Sequence, residues 1–206
     1  MVFSSAIFLF VFLPIVCALY FIVPGIKGKN TLLIIASLIF YAFGEPIYIL
    51  LMIGSIIANY IFGLMEGRFS KANNIAGKKI VLIIAVICNI GVLCVFKYTA
   101  FILENINYAG RLNIKIPGIA LPIGISFFTF QALSYVIDVY RRDVEAEKNL
   151  FHVMLYISFF PQLIAGPIVK YHDIQEQIRS RKTDSGEIAA GMRRFILGLA
   201  KKVLIS

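Results

Sequence analysis

Apolar residues run along this chain in long blocks separated by short polar breaks, and most blocks match the length that carries a helix across a bilayer. The pattern predicts helical segments at residues 2–23, 31–43, 47–65, 80–103 and 119–139, followed by apolar stretches at 150–165 and 192–206. The break PGIKGKN supplies Pro24, Gly25 and Gly28 as turn residues, and Gly44-Glu45-Pro46 forces the next turn. The 31–43 block spans roughly 20 Å as a helix, which is short for a full crossing. Residues 66–79, EGRFSKANNIAGKK, read as a polar loop.

The stretch from Ile119 to Lys170 organises the rest. It joins IALPIGISFFTFQALSYVIDVY through the break RRDVEAEKN to LFHVMLYISFFPQLIAGPIVK. Pro161 interrupts the second apolar run and Gly166-Pro167 closes it, so this segment is expected to re-enter or lie at the interface. Charge agrees. Lys27, Lys29, Arg68, Lys71, Lys78 and Lys79 in alternate breaks place those breaks in the cytoplasm and the N-terminus outside. A full crossing by 150–165 would export the basic break from Lys170 to Arg194, whereas a turn back keeps it inside. Residues 171–179 read as a surface helix with Ile174 and Ile178 on one face.

Composition narrows the class. With 60% hydrophobic and 15% charged residues and a mean hydropathy of +0.87, the 206-residue chain has too little polar sequence to cover a soluble core. The fold class is all-α: a multi-pass transmembrane bundle with one re-entrant or interfacial segment, read as a single membrane domain over 1–206. The formal charge of +9 sits in the breaks, which excludes nucleic acid as the partner and points to lipid headgroups. Met1–Val23 lacks a basic n-region and a small-residue cleavage site, so it is a retained span and not a signal peptide. Cys17, Cys88 and Cys94 read as small buried hydrophobes, and His152 and His172 are too few for a metal site. Asn59 reads as a hydrogen bonder between helices, and Lys97 beside Tyr98 as an interfacial anchor.

Three sets of polar or helix-breaking residues are candidates for function. Gln131, Tyr135 and Asp138 share one helical face, with Ser126 on the same segment; they either line a cavity or hydrogen-bond neighbouring helices. For Asp138, beside Tyr140-Arg141-Arg142, an interfacial ion pair is the simpler role. Pro161, Gln162, Gly166 and Pro167 either shape a channel loop or end a helix at the surface. Lys170, Arg179, Arg181 and Lys182 form a basic face, either for headgroups or for docking an acidic donor carrier. His152 and His172 read as ordinary polar residues.

The opening MVFSSAIFLFVFLPI, LIFYAFGEP, LPIGISFFTFQALSYVIDVYRRD and YISFFPQLIAGPIVK resemble the N-terminal part of the membrane-bound O-acyltransferases, in their alginate O-acetyltransferase-like branch. The D-alanyl transfer proteins of teichoic acid synthesis are similar but more distant. The resemblance implies a bacterial cytoplasmic-membrane enzyme that passes an acetyl group through a central funnel to hydroxyls of an extracytoplasmic polysaccharide. It implies an acyl donor, acetyl-CoA or an acylated carrier, as substrate and no bound cofactor. Acyl-carrier or periplasmic acetylation proteins are the implied partners. The family's nearly universal histidine lies in its C-terminal half, so no catalytic residue is carried over to this chain. Acyl transfer to an alcohol needs a base for the hydroxyl proton and donors for the oxyanion, and no base with an orienting partner stands at a recognisable spacing here. The 206 residues alone are therefore expected to be inactive, and the run 192–206, ending inside its own pattern, reads as the start of a longer chain. A transporter or structural subunit remains the alternative of another class, disfavoured because ionisable groups are nearly absent from the span interiors.

Overall fold

In the computed structural model, residues 5–118, 120–163, 169–181 and 184–205 are described, and every regular element among them is helical. A π-helical turn at Phe8–Phe12 leads into α1 (Leu13–Ile22), and α2 (Ile26–Gly44) and α3 (Ile49–Lys71) follow. The next rod, Ile75 to Gly110, contains α4 (Ile75–Leu93), a π-helical turn at Cys94–Tyr98 and α5 (Thr99–Gly110). Helix α2, helix α3 and this rod are each long and apolar enough to cross a membrane. The chain is a multi-pass all-α membrane protein.

Helix bounds differ from the apolar blocks where polar residues continue a helix into the headgroup region. Helix α2 starts at Ile26 and takes in Lys27, Lys29 and Asn30, which removes the shortness of the 31–43 block. Most of the expected 66–79 loop is helix too. Helix α3 runs to Lys71, and α4 begins after Asn74, whose side chain accepts from the Gly77 N–H at 2.8 Å. Glu, Arg and Lys are good helix formers, so a polar run there marks the edge of the bilayer and not the end of the helix.

Helix α6 (Ile125–Arg141) is the most enclosed part of the bundle: Phe128, Ala132, Tyr135 and Val136 are fully buried. It packs against α3 and α4, and α3 carries Gly63 against Tyr135. A Cβ on Gly63 would sit 2.6 Å from the Tyr135 ring. The helix begins six residues later than the apolar block, after Gly124 at φ +78, where a Cβ would also stand 2.8 Å from the Leu163 carbonyl oxygen. Cys17, Cys88 and Cys94, expected to be buried, are all exposed and free. Lipid solvates an apolar side chain as well as a core does, so composition cannot distinguish the two faces of such a helix.

Of the 150–165 segment, residues 150–163 are described, and they do not form one continuous helix. Helix α7 (Leu150–Ser158) descends and breaks at Phe159, and one turn, α8 (Phe160–Leu163), follows. At this depth the Phe160 N–H donates to Ser37 Oγ (3.1 Å) halfway along α2. The chain then returns to α9 (Tyr171–Arg179), whose residues meet the loop before α7. Pro161 does not make the break itself. It occupies the second position of α8, where its missing N–H costs no helix bond.

The bundle therefore has a basic end. Arg181 reaches Asn30 (2.7 Å), Arg142 reaches Asn73 (3.3 Å), and Tyr60 donates to the Lys148 carbonyl (2.6 Å), so the breaks around residues 24–30, 72–74, 142–149 and 170–181 share it. At the opposite end Tyr48 donates to the Ala120 carbonyl (3.0 Å) and the Ile123 N–H to Glu45 (3.4 Å). The last helix, α10 (Ser185–Ile205), begins before the 192–206 block and is largely exposed along its described side chains.

Asn59 on α3 and Asn89 on α4 donate to each other, at 3.1 and 2.8 Å, while each also holds a carbonyl of its own helix. We predict that Asn59→Ala and Asn89→Ala each lower stability by about 1 kcal/mol, because the partner amide loses its bond in an apolar setting. The double variant should lose less than the sum, and unfolding of the three variants in detergent measures this.

Candidate functional site

Helices α6, α7 and α9 converge on one buried carboxylate, Glu147, in the loop between Arg142 and Asn149. Its Oε2 accepts from Arg179 Nε (3.1 Å), Arg179 Nη2 (2.9 Å) and the Tyr171 hydroxyl (2.9 Å), with His152 Nδ1 at 3.3 Å. Its Oε1 accepts from the Asn149 N–H (3.1 Å), and its own N–H donates to the Tyr135 hydroxyl (3.1 Å). Tyr171 lies edge-on to both Tyr135 and Tyr156, with ring centres 5.1 Å apart in each case. Burial pushes the Glu147 carboxyl up, but the Arg179 guanidinium and the Asn149 and Tyr171 donors outweigh it and hold the group at about 2. The same contact raises the Arg179 guanidinium. Glu147 escaped the sequence reading because nothing in DVEAEKN distinguishes it from Glu145, which stays exposed.

The second polar cluster sits deeper. Gln131 Nε2 donates to the Tyr156 carbonyl (2.7 Å) in the last turn of α7 and to Gln162 Oε1 (2.9 Å) on α8. The Tyr156 hydroxyl donates onward to the Val169 carbonyl (2.8 Å). Gln131 and Gln162, separate candidates in the sequence, are thus one hydrogen-bonded pair at the bend. Tyr135 faces Glu147 instead, Ser126 is half-buried beside neither cluster, and Pro161 is exposed. Gly166 and Pro167 lie outside the described residues.

Of the basic face, Lys170 is exposed, and Lys182 lies outside the described residues. Arg179 is held by Glu147, and Arg181 donates to the Tyr20 hydroxyl (2.6 Å) and to Asn30 (2.7 Å). Two of the four candidate docking cations therefore tie α9 to the bundle. Asp138 is buried and meets the backbone N–H groups of Tyr171 and His172 at the start of α9 in place of an arginine. Asn30 completes the attachment by donating to the Ile178 carbonyl (2.9 Å). His152 beside Glu147 is a base next to a carboxylate that sequence spacing did not show, but Glu147 is already committed to Arg179 and Tyr171. Among the described residues no cluster of His, Cys, Asp and Glu could hold a metal ion.

A cavity of about 870 Å³ opens at the basic end, between the last turns of α3 and the 142–148 loop. Arg179 lines it, whereas Gln131 and Gln162 do not.

Comparison with known proteins finds relatives that match along the whole chain. The probable alginate O-acetylase AlgI of Pseudomonas aeruginosa is 40% identical over 210 residues, covering all of this chain and 40% of that protein. The probable alginate O-acetylase AlgI of Azotobacter vinelandii is 37% identical, again over the whole chain and 42% of its own length. The chain is a homologue of these proteins along its whole length. A peptidoglycan O-acetyltransferase of Helicobacter pylori is 34% identical to this homologue over 238 residues, covering 44% of that protein. The homologue thus spans about two fifths of the length of these relatives. No family model and no solved structure matches it.

The Glu147 anchor carries a pH prediction. Because the folded carboxyl is lowered from about 4.5 to about 2, its contribution is complete above pH 4.5 and is lost as the pH falls from 4.5 towards 2. Glu147→Gln should lower the unfolding temperature at pH 7, and the gap from the parent should narrow through that acid window. Equal gaps at pH 7 and pH 3 would show that the carboxylate charge does not matter.

Proposed function

We propose that the chain forms part of a bacterial cytoplasmic-membrane O-acetyltransferase acting on a surface polysaccharide, with the donor at the basic end and the acceptor at the other. The observation that carries this reading is similarity along the whole chain to relatives named for acetylation of alginate and of peptidoglycan. The positive-inside rule supports placing the basic end in the cytoplasm. A bent segment that brings the Gln131–Gln162 pair to membrane depth is also in keeping with a path for an acyl group through the bundle.

In this reading the acceptor hydroxyl oxygen attacks the thioester carbonyl of acetyl-CoA or an acylated carrier. A base takes the hydroxyl proton, a C–O bond forms, the C–S bond breaks, and the sulfur leaves as thiolate and receives that proton from the base. We assign that base to residues of the whole enzyme outside these 206, and so expect the 206-residue chain alone to be inactive. His152 is placed with the structural groups: it sits at the basic end, and the carboxylate beside it is neutralised by Arg179. Carrier or periplasmic acetylation proteins are the partners this chemistry would require. D-alanyl transfer and transport are not favoured by the relatives' names.

The test is acetyl content of the surface polysaccharide in a deletion strain. Restoring the whole gene should recover acetylation, and residues 1–206 alone should not. His152→Gln in the whole protein should keep activity within about threefold, the range of a residue outside the proton transfer. Unchanged polysaccharide acetylation with lost teichoic acid alanylation in the deletion strain would overturn the reading.

A further inference from the structure

The cavity at the basic end has two unlike walls. One is cationic: Arg68 and Lys71 in the last turn of α3 face Arg142 and Lys148 of the loop, all four exposed. Among the described residues none of these four forms an ion pair, although Asp143 and Glu145 line the same space. Arg179, the fifth cation, is already neutralised by Glu147. An excess of unpaired positive charge therefore surrounds a volume of about 870 Å³ at the level where a spanning helix leaves the bilayer.

The other wall is apolar and belongs to α3. Ile61, Leu64 and Met65 line the cavity one to two turns before Arg68. Ile57, Ile61 and Met65 recur every four residues with 40%, 47% and 38% exposure, so the stripe leads out of the cavity along the lipid-facing side of a membrane-crossing helix. A small soluble anion would use the cations and leave this stripe untouched. An amphiphile with an anionic head and acyl chains would use both at once.

We propose that this cavity seats the headgroup of one anionic phospholipid from the leaflet at the basic end, with its acyl chains laid along Ile57, Ile61 and Met65. Basic pockets where helices leave a bilayer select anionic headgroups because each nearby Lys or Arg adds to the attraction, while the chains stay in hydrocarbon. The site is separate from the Gln131–Gln162 pair, and its occupancy does not depend on the proposed acetyl transfer.

The full-length protein in a neutral detergent, incubated with phosphatidylglycerol or phosphatidylcholine and read by native mass spectrometry, tests this. Phosphatidylglycerol should be retained and phosphatidylcholine should not. The double variant Arg68→Gln/Lys148→Gln should lower phosphatidylglycerol retention by roughly tenfold or more, with an unchanged unfolding temperature in lipid-free detergent. Ile61→Trp, which keeps every charge but fills the apolar wall, should also lower retention, and it decides the matter if the double variant fails to fold. Equal retention of the two lipids, or parental phosphatidylglycerol retention in Ile61→Trp or in a folded double variant, would overturn the assignment. So would binding of free coenzyme A that needs Arg68 and Lys148 in a protein that retains no phosphatidylglycerol, since the site would then take a soluble phosphate.

Discussion

Backbone that stops being helical at membrane depth must find its hydrogen bonds within the protein, and the bend after α7 is arranged around that constraint. The last turn of α7 leaves carbonyls without helical partners, and Gln131 on α6 donates to one of them, the Tyr156 oxygen. On the far side of the break, Ser37 on α2 accepts from the Phe160 N–H. Two polar side chains from two different helices thus satisfy groups that lipid could not. Neither would be tolerable alone in hydrocarbon, which explains why buried polar residues sit at this level of an otherwise apolar bundle.

The start of α7 and helix α9 meet at one end of the bundle and are fastened together there. Glu147 fastens the entry of α7 to its return in α9, since Arg179 and Tyr171 bind the carboxylate while Tyr135 holds the loop's backbone to α6. The start and end of α9 are held separately, by Asp138 near the N–H groups of Tyr171 and His172 and by Asn30 on the Ile178 carbonyl. Arg181 then ties the chain beyond α9 to Tyr20 and Asn30. An ion pair with one exposed partner, as Arg179 is, gains little by itself, but removing the guanidinium leaves the buried Glu147 carboxylate a costly bare charge. The device therefore fixes position more than it adds stability.

What the sequence revealed follows from what it encodes strongly. Long apolar blocks and the organising stretch around α6 were legible, because segment length and hydropathy are physical requirements of a bilayer. Helix ends were not legible, since Lys27, Arg68 and Lys79 mark the headgroup level while the helices run on through them. Nor were the partners of the cations: Arg179 and Arg181 look like a free basic face until the fold brings Glu147 and Asn30 to them. Gln131 and Gln162 lie 31 positions apart, and only the bend at Phe159 makes them neighbours.

These layers divide the bundle by depth. In the apolar layer, side chains complete the backbone, and the specific contacts are amides and hydroxyls: Gln131, Gln162, Ser37, and the Asn59–Asn89 pair. At the basic end, charge does the positioning, and cations split into two populations. Arg179, Arg181 and Lys78, which donates to the Tyr140 carbonyl at 2.7 Å, are consumed in holding loops to helices. Arg68, Lys71 and Lys148 are not, and a fold that had used them for its own cohesion would have left no charged cavity. The separation matters for function because a ligand can neutralise the second population without loosening the first, so occupancy of the cavity need not disturb the α7–α9 contacts beside it.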